Sequence, residues 1–517
     1  MNARDEIIIA LSDIDPKHLR CVTPLLRPRP AVTWREIMKR SVKWTGKLIG
    51  AAAAAVIVLG LIILPGLWQD NKPIQAASPT EEEPLRICFD VGLSISGVNV
   101  PSVVNSFSSR LKQATGLEHY VIETIPGSGA ERESTLEHLR TELLTGGGPD
   151  VFILETDGLG EECLFQYPKR AMTDGAFYDL TELLKEAQYM EPEKLTAPVL
   201  AGGQINGRQV ALPLTYSFWS TVYKQKDVPP PQQAMTWTEC AQSDDPAYVH
   251  AAGFGLDLYG GSFPADIFGD PADYQKGKLS FSQQELEDML FTLFESRETL
   301  DFEALPMNLI GNLGVEYSDD IILFQASGLD QKLVSKNGMF YATQVFETGL
   351  VGGNDYYGAP EEDLTYLPLF NRDGGVTARV SSWAAVNANS RYPRDAFTVL
   401  DYLFSEKEQL NNHGSEWNTI YSLETRYHAF SLLDRAGQES CPINTWWITD
   451  KSFESLSWVR EQINCVRFPD PMEQTLYLLV WDCWQTYESN HDGDWREAMR
   501  PVIAKAYQEL ELLLAES

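Results

Sequence analysis

STLEHLRTELLTGGGPDVFIL, residues 134–154, is the stretch whose reading decides the fold. Ser134 with Glu137 three residues later is a capping-box signature, so a helix is predicted from Ser134 to Leu144. Gly146-Gly147-Gly148-Pro149 stops it, and Asp150-Val151-Phe152-Ile153-Leu154 reads as a strand. Upstream, Leu85 to Val91 alternates as a strand does, Val103 to Thr115 reads as a helix, and Tyr120 to Ile125 as a second strand. Strand–helix–strand–helix–strand at this spacing predicts a parallel α/β sheet. Downstream the mixture continues. Gln209 to Leu214 is strand-like, Gln283 to Glu295 a helix opened by Ser282, and Ala396 to Leu410 an amphipathic helix. Helices are also predicted from Met472 to Tyr487 and from Asp494 to Leu514, the last with Asp494 as cap and Ala498, Val502, Ile503, Ala506, Tyr507 and Leu510 along one face.

The N-terminal part has different chemistry. Leu48 to Trp68 is an uncharged run of 21 residues, and a helix of that length spans roughly 30 Å, the thickness of a bilayer's hydrocarbon core. Arg27, Arg29, Arg35, Lys39, Arg40, Lys43 and Lys47 precede it; Glu81, Glu82 and Glu83 follow it. Basic residues beside a span stay on the cytoplasmic side. The expectation is therefore a basic cytoplasmic leader (1–47), a transmembrane signal anchor (48–68), a polar linker (69–84) and an extracellular region (85–517), placing the protein in the cell membrane as a single-pass chain. Small residues at Ala76, Ala77 and Ser78 leave cleavage there as the alternative.

Residues 1–47 carry ten Lys and Arg against five Asp and Glu, net +5, which leaves −37 for the rest of a chain whose total is −32. Such an acidic exterior repels phosphate backbones, so nucleic acid is not an expected partner. Outside the leader stand Cys88, Cys163, Cys240, Cys441, Cys465 and Cys483, too widely spaced for a zinc motif. A disulfide from Cys441 to Cys465 or Cys483 is one reading, and scattered buried thiols the other. The sequence holds no GxSxG, HExxH or phosphate-binding loop, so neither catalysis nor a cofactor or metal is expected. A glycosidase's paired carboxylates remain the rival in the enzyme class.

Several segments together resemble the extracellular solute-binding proteins of bacterial ABC importers, the carbohydrate-binding family above all. These are the helix–Gly–Pro-Asp–strand of 136–154; Asn206-Gly207-Arg208 through Ala211 to Tyr216 and Thr221 to Lys224; Met235-Thr236-Trp237-Thr238-Glu239; Ala385 to Ser390 with Ala396 to Gln409; and Trp495 to Leu514. The family's lipidated cysteine is absent, and its Pro-Val segment appears here only as Thr419-Ile420-Tyr421-Ser422-Leu423. The resemblance implies a two-lobed type II periplasmic-binding-protein-like α/β fold with a first crossover near 210–220. It implies a saccharide as ligand and an importer permease as partner; a sensor signalling through the membrane helix to residues 1–47 would share that fold.

A sugar offers hydroxyls to planar polar groups and C–H faces to aromatic rings. The candidate ligand-binding residues are accordingly Asp157 at a strand end, Tyr216 and Trp219 after the crossover, Tyr259 and Phe263 in a Gly-rich loop, Ser382 and Trp383 before the AVNANS strand, and Trp417. For each, core or lobe-interface packing is the competing reading. It extends to Trp446 and Trp447, and for Trp237 and Trp495 packing at a helix start is the favoured role. Asp150 is expected to fix a turn or helix end. The HDGD run at 491–494 lacks a full set of oxygen ligands for calcium.

Overall fold

Three parallel strands open the fold, as the spacing predicts. β1 (Leu85–Asp90) lies between β2 (Tyr120–Ile125) and β3 (Val151–Glu155), with α1 (Val100–Thr115) and α2 (Gly129–Leu144) as the connections. The computed structural model describes residues 77–90, 100–127, 129–155, 163–225, 228–252, 265–299, 321–326, 330–335, 339–345, 363–410, 430–432, 450–491 and 493–517, all within a unit spanning residues 73–517. The leader, the apolar run Leu48–Trp68 and most of the linker lie outside them. Among the described residues no helix is long and apolar enough to cross a membrane.

β1 buries both faces: Leu85, Ile87, Cys88 and Phe89 are all in the core, as in a central strand of a covered sheet. α2 begins at Gly129, five residues before the predicted cap, so Ser134 lies inside it. The extra turn carries Arg132, which is buried, pairs with both carboxylate oxygens of Asp90 (2.6 and 2.9 Å) and donates to the Pro126 carbonyl (2.8 Å). A tertiary ion pair thus sets the start of the helix where a local signal suggested otherwise. Its end follows the sequence. Gly146 donates to the Leu143 carbonyl and Gly147 to the Glu142 carbonyl, both at 3.0 Å, the paired bonds of a Schellman cap, with Gly146 at φ +80°.

After α3 (Pro168–Thr173), a tight hairpin of β4 (Gln204–Ile205) and β5 (Arg208–Gln209) leads into β6 (Leu212–Lys224). The segment read as one strand from Gln209 to Leu214 is therefore broken at Val210-Ala211 and then runs ten residues further. Gly203 fits tightly here: a Cβ would lie 1.9 Å from the Ala211 carbonyl oxygen. Gly203→Ala should cost about 1–3 kcal/mol through overpacking, seen as a lowered urea midpoint; an unchanged midpoint would mean the hairpin yields without strain.

Next come α4 (Trp237–Ala241), β7 (Ala272–Asp273), β8 (Lys278–Leu279) and α5 (Gln283–Thr299). Thr236 and Glu239 form a full capping box, and the buried Trp237 indole donates to the Ala252 carbonyl (3.1 Å), which confirms its helix-start role. Ser282 and Glu285 cap α5 reciprocally. Strands β9 (Ile321–Ala326), β10 (Asp330–Ser335), β11 (Met339–Val345), β12 (Leu364–Pro368) and β13 (Val376–Val386) follow.

The helix predicted from Ala396 to Leu410 is two helices, α6 (Pro393–Leu403) and α7 (Glu406–Leu410). Ser405 interrupts them, donating to the Tyr402 carbonyl (2.7 Å) and accepting from the Glu408 amide (3.2 Å). The chain closes with β14 (Phe430–Ser431), α8 (Asp450–Glu461), β15 (Ile463–Arg467), α9 (Pro471–Asn490) and α10 (Trp495–Glu516). Asp494 accepts from the Glu497 amide as the expected cap (3.1 Å), and Trp495 packs edge-on against Phe291 and Tyr487. Cys88, Cys240, Cys465 and Cys483 are free thiols, while Cys441 lies outside the described residues.

The strands run β2-β1-β3-β13-β6-β11-β10-β9, with β12 and β14 also on β6 and β15 on β13. Two strands are shared. β6 pairs with β13 and β14 through Leu212–Tyr216, and with β11 and β12 through Phe218–Lys224. β13 pairs with β15 at its start and with β3 at its end.

Candidate functional site

Two strand ends converge on the middle of β13. Glu155, the last residue of β3, sits opposite Ser382, and Arg467, the last of β15, opposite Arg379. Those partners are three residues apart, roughly 10 Å along a strand. Tyr216 of β6 is paired with Val380 between them, and just beyond it β6 changes partners. In open α/β folds ligands gather outside the carboxyl ends of strands, at such changes of connection. This crossing is the candidate site.

The motifs on either side of it are tied together. The Asn387 carboxamide donates to the carbonyls of Gly147 (3.1 Å) and Pro149 (2.9 Å). Asp150 accepts from the Arg86 amide (2.9 Å) and the Ser390 hydroxyl (2.6 Å), which gives it the turn-fixing role expected of it. The GGGPD and AVNANS segments are thus one hydrogen-bonded unit holding β3 against β13.

Of the eight candidate ligand residues, Asp157, Tyr259, Phe263 and Trp417 lie outside the described residues, as do Trp446 and Trp447. Three of the other four are interior. Tyr216 is fully buried, its hydroxyl accepting from Arg460 Nε (2.8 Å); Ser382 is buried and bonded to the Thr215 hydroxyl (2.6 Å). Trp383, 1% exposed, stands among Phe165, Phe177 and Phe468 at ring-centre distances of 6.0, 5.3 and 5.8 Å. The expectation that a sugar stacks on it is corrected: the ring is spent on the core, and no face is open. Trp219 alone is half-buried. Its carbonyl accepts from the Leu369 amide (2.9 Å), and its indole lies against the Asp266 carboxylate.

Asp266 leads to residues that sequence reasoning did not single out. It sits in the 3-10 turn Ala265–Phe268 and pairs with Arg467 (2.5 Å). Arg467 also approaches Glu473 in the first turn of α9 (3.3 Å), and Glu473 accepts from Arg379 Nε (3.1 Å). Two guanidinium groups and two carboxylates are enclosed together. Burial pushes the Asp266 carboxyl up, against the pull of Arg467. For Glu473 burial acts in the same direction, but Arg379 and Arg467 outweigh it and the carboxyl is lowered. Neither Asp266 oxygen has an aligned hydrogen-bond donor, and Glu473 Oε2, Arg467 Nε and Arg467 Nη1 also lack partners.

A second tier surrounds them. Asp470 caps α9 by accepting from the Met472 amide (2.8 Å) and takes the Tyr274 hydroxyl proton into a 2.8 Å bond; burial holds its carboxyl up, to about 7. Asp270 is also raised by burial, with Lys169 opposing. Lys169 lies 5.2 Å over the Phe468 ring and donates to the Gly202 carbonyl (2.6 Å). The signal in the sequence was an arginine within the largely apolar strand VTARVSSWAAV and another at the end of INCVR. Among the described residues no group of His, Cys, Asp and Glu is placed to hold a metal.

No protein-family model matches the chain, and no curated protein matches it. The extracellular solute-binding protein family 1 structure from Alicyclobacillus acidocaldarius is similar to it, with a TM-score of 0.51 at 13% identity, covering 84% of this chain and 100% of that one. A de novo designed cysteine esterase (TM-score 0.48, 13% identity, 83% and 98% covered) and the sugar-binding protein MalE from Xanthomonas citri (0.47, 14%, 84% and 98%) overlap more loosely and add nothing to that match. At this identity the first likeness shows the fold alone. The chain has the α/β fold of extracellular solute-binding proteins.

Proposed function

We propose, starting from that fold, that the chain is a membrane-tethered extracellular solute-binding protein. In this reading β6 and β13 join two lobes, one carrying β1–β3 and the other β12, β15 and the C-terminal helices. The lobes close on a small solute, a mono- or oligosaccharide, and deliver it unaltered to an importer permease. Residues 48–68 tether the protein, with residues 1–47 inside the cell.

The observation that supports this best is the convergence of β3 and β15 on the middle of β13, within a fold similar over 84% of this chain. Two lobes joined by crossover strands can rotate about them with few bonds broken, which is the mechanics of hinge closure. The half-buried Trp219 and the charged group beside it lie at that hinge.

A thermal-shift screen of residues 73–517 against mono- and oligosaccharides tests the reading. A solute that binds only the folded state should add about 2.7 kcal/mol of stability at a hundredfold excess over Kd. A raised Tm without product formation is the expected result. Steady turnover of the saccharide, or no response to any of them, would refute the assignment.

A further inference from the structure

The joint between the β7–β8 hairpin and the start of α9 carries an inference that goes beyond solute capture and does not depend on it. We propose that Asp470 is a proton-operated latch: protonated, it fastens the hairpin to α9, and ionised, it lets the hairpin open.

Asp470 is 5% exposed, and the partners that hold its carboxyl are neutral, the Met472 amide and the Tyr274 hydroxyl, both at 2.8 Å. A buried carboxylate without a paired cation is unfavourable, and taking up a proton relieves it. The charged groups around it do not supply that cation. Arg467, at the end of β15, favours the ionised form but is already paired with Asp266 and Glu473, and Arg379 is taken by Glu473. Lys169 of α3 is held by the Gly202 carbonyl and lies over the Phe468 ring. On the hairpin itself, Lys276 pairs with Asp273 (2.7 Å) and Lys278 is exposed. Asp270, at the foot of the hairpin, opposes ionisation. Tyr167, whose ring centre lies 6.4 Å from that of Tyr274, Glu516 at the end of α10 and Cys465 of β15 bring no positive charge. Burial therefore decides, and the carboxyl is held up at about 7.

The hairpin is built to open. β7 and β8 have two residues each and form a sheet of their own, apart from the eleven-stranded one. Gln275 to Lys278 are exposed at its tip, while Tyr274 reaches inward to Asp470. Opening gives the Asp470 carboxylate water. The closed state binds the proton more tightly than the open one, so closure is strongest in acid. It weakens as the pH rises from the ordinary carboxylate range to about 7 and levels off above that.

Hydrogen exchange of the full chain in detergent tests this, read by mass spectrometry on residues 270–281 and corrected for the chemical pH dependence of exchange. Between about pH 5 and pH 7 the opening constant should rise about tenfold per pH unit, the signature of one released proton. Asp470→Asn retains the acceptor for the Met472 amide in a side chain that cannot ionise, so it should flatten this rise and keep the hairpin closed at pH 8. Tyr274→Phe removes a bond that favours the ionised carboxyl, so opening should level off at a higher pH than in wild type. A flat wild-type profile would overturn the inference, and so would an Asp470→Asn protein that keeps the wild-type slope. If Asp470→Asn does not fold, Tyr274→Phe decides: levelling off at or below the wild-type pH overturns the latch. No arm of the experiment uses a solute, so its failure leaves the solute-capture reading standing.

Discussion

Trp383→Ala is expected to lose about 3–5 kcal/mol of unfolding free energy, the usual cost of emptying a large aromatic site in a core. The ring is enclosed by Phe165, Phe177 and Phe468, which come from two distant parts of the chain, so no single neighbour can move to fill the space. Trp219→Ala should lose less, because Trp219 is only partly buried. Urea unfolding of both variants, followed by tryptophan fluorescence, separates the two roles. A Trp383→Ala protein that unfolds at the wild-type urea concentration but no longer binds solute would restore the stacking role and remove the packing one.

The second large effect is expected at Asp90. Its carboxylate holds Arg132 through two bonds, and both side chains are almost fully buried. Asp90→Ala strands a guanidinium in the interior, which costs about 3–5 kcal/mol. Replacing both partners, as in Asp90→Leu with Arg132→Met, should recover most of that loss, since the desolvated charge is gone as well. A double-mutant cycle in urea measures the coupling. A single Asp90→Ala variant as stable as wild type would mean that water reaches Arg132 and that the pair does not define the start of α2.

Much of the fold was legible where its signals are local. The strand over Tyr120 to Ile125, the glycines that end α2, and the helix starts at Ser282 and Asp494 all rest on signals within a few residues, and the structure keeps each of them. What could not be read depended on distant partners. Ser134 carries a good capping pattern, yet the helix starts earlier because Arg132 finds Asp90, more than forty residues away in sequence. Ser405 breaks a helix whose apolar spacing runs on without interruption. The aromatic residues named for ligand contact share a composition with core residues, and only packing distinguishes Trp383 from Trp219. Asp266, Arg379, Arg467 and Glu473 come together from four elements, so no spacing rule could have joined them. The visible trace was an arginine where a buried strand should be apolar.

The position of β13 has a consequence for how the chain is made. β3 ends at Glu155, and the strand that covers its open edge begins at Val376. Roughly 220 residues must be synthesised between the two, which at about 5–20 residues per second takes on the order of 10–45 s. During that time β1–β3 can pair among themselves but present an unpaired edge strand that is apolar up to its terminal Glu155, the kind of surface that recruits other chains. The growing protein is therefore most vulnerable in the middle of its synthesis, and it becomes safe only when β13 arrives to complete both halves of the sheet at once. A chain arrested before residue 376 should need a chaperone to stay soluble, while one arrested shortly after residue 390 should need it much less.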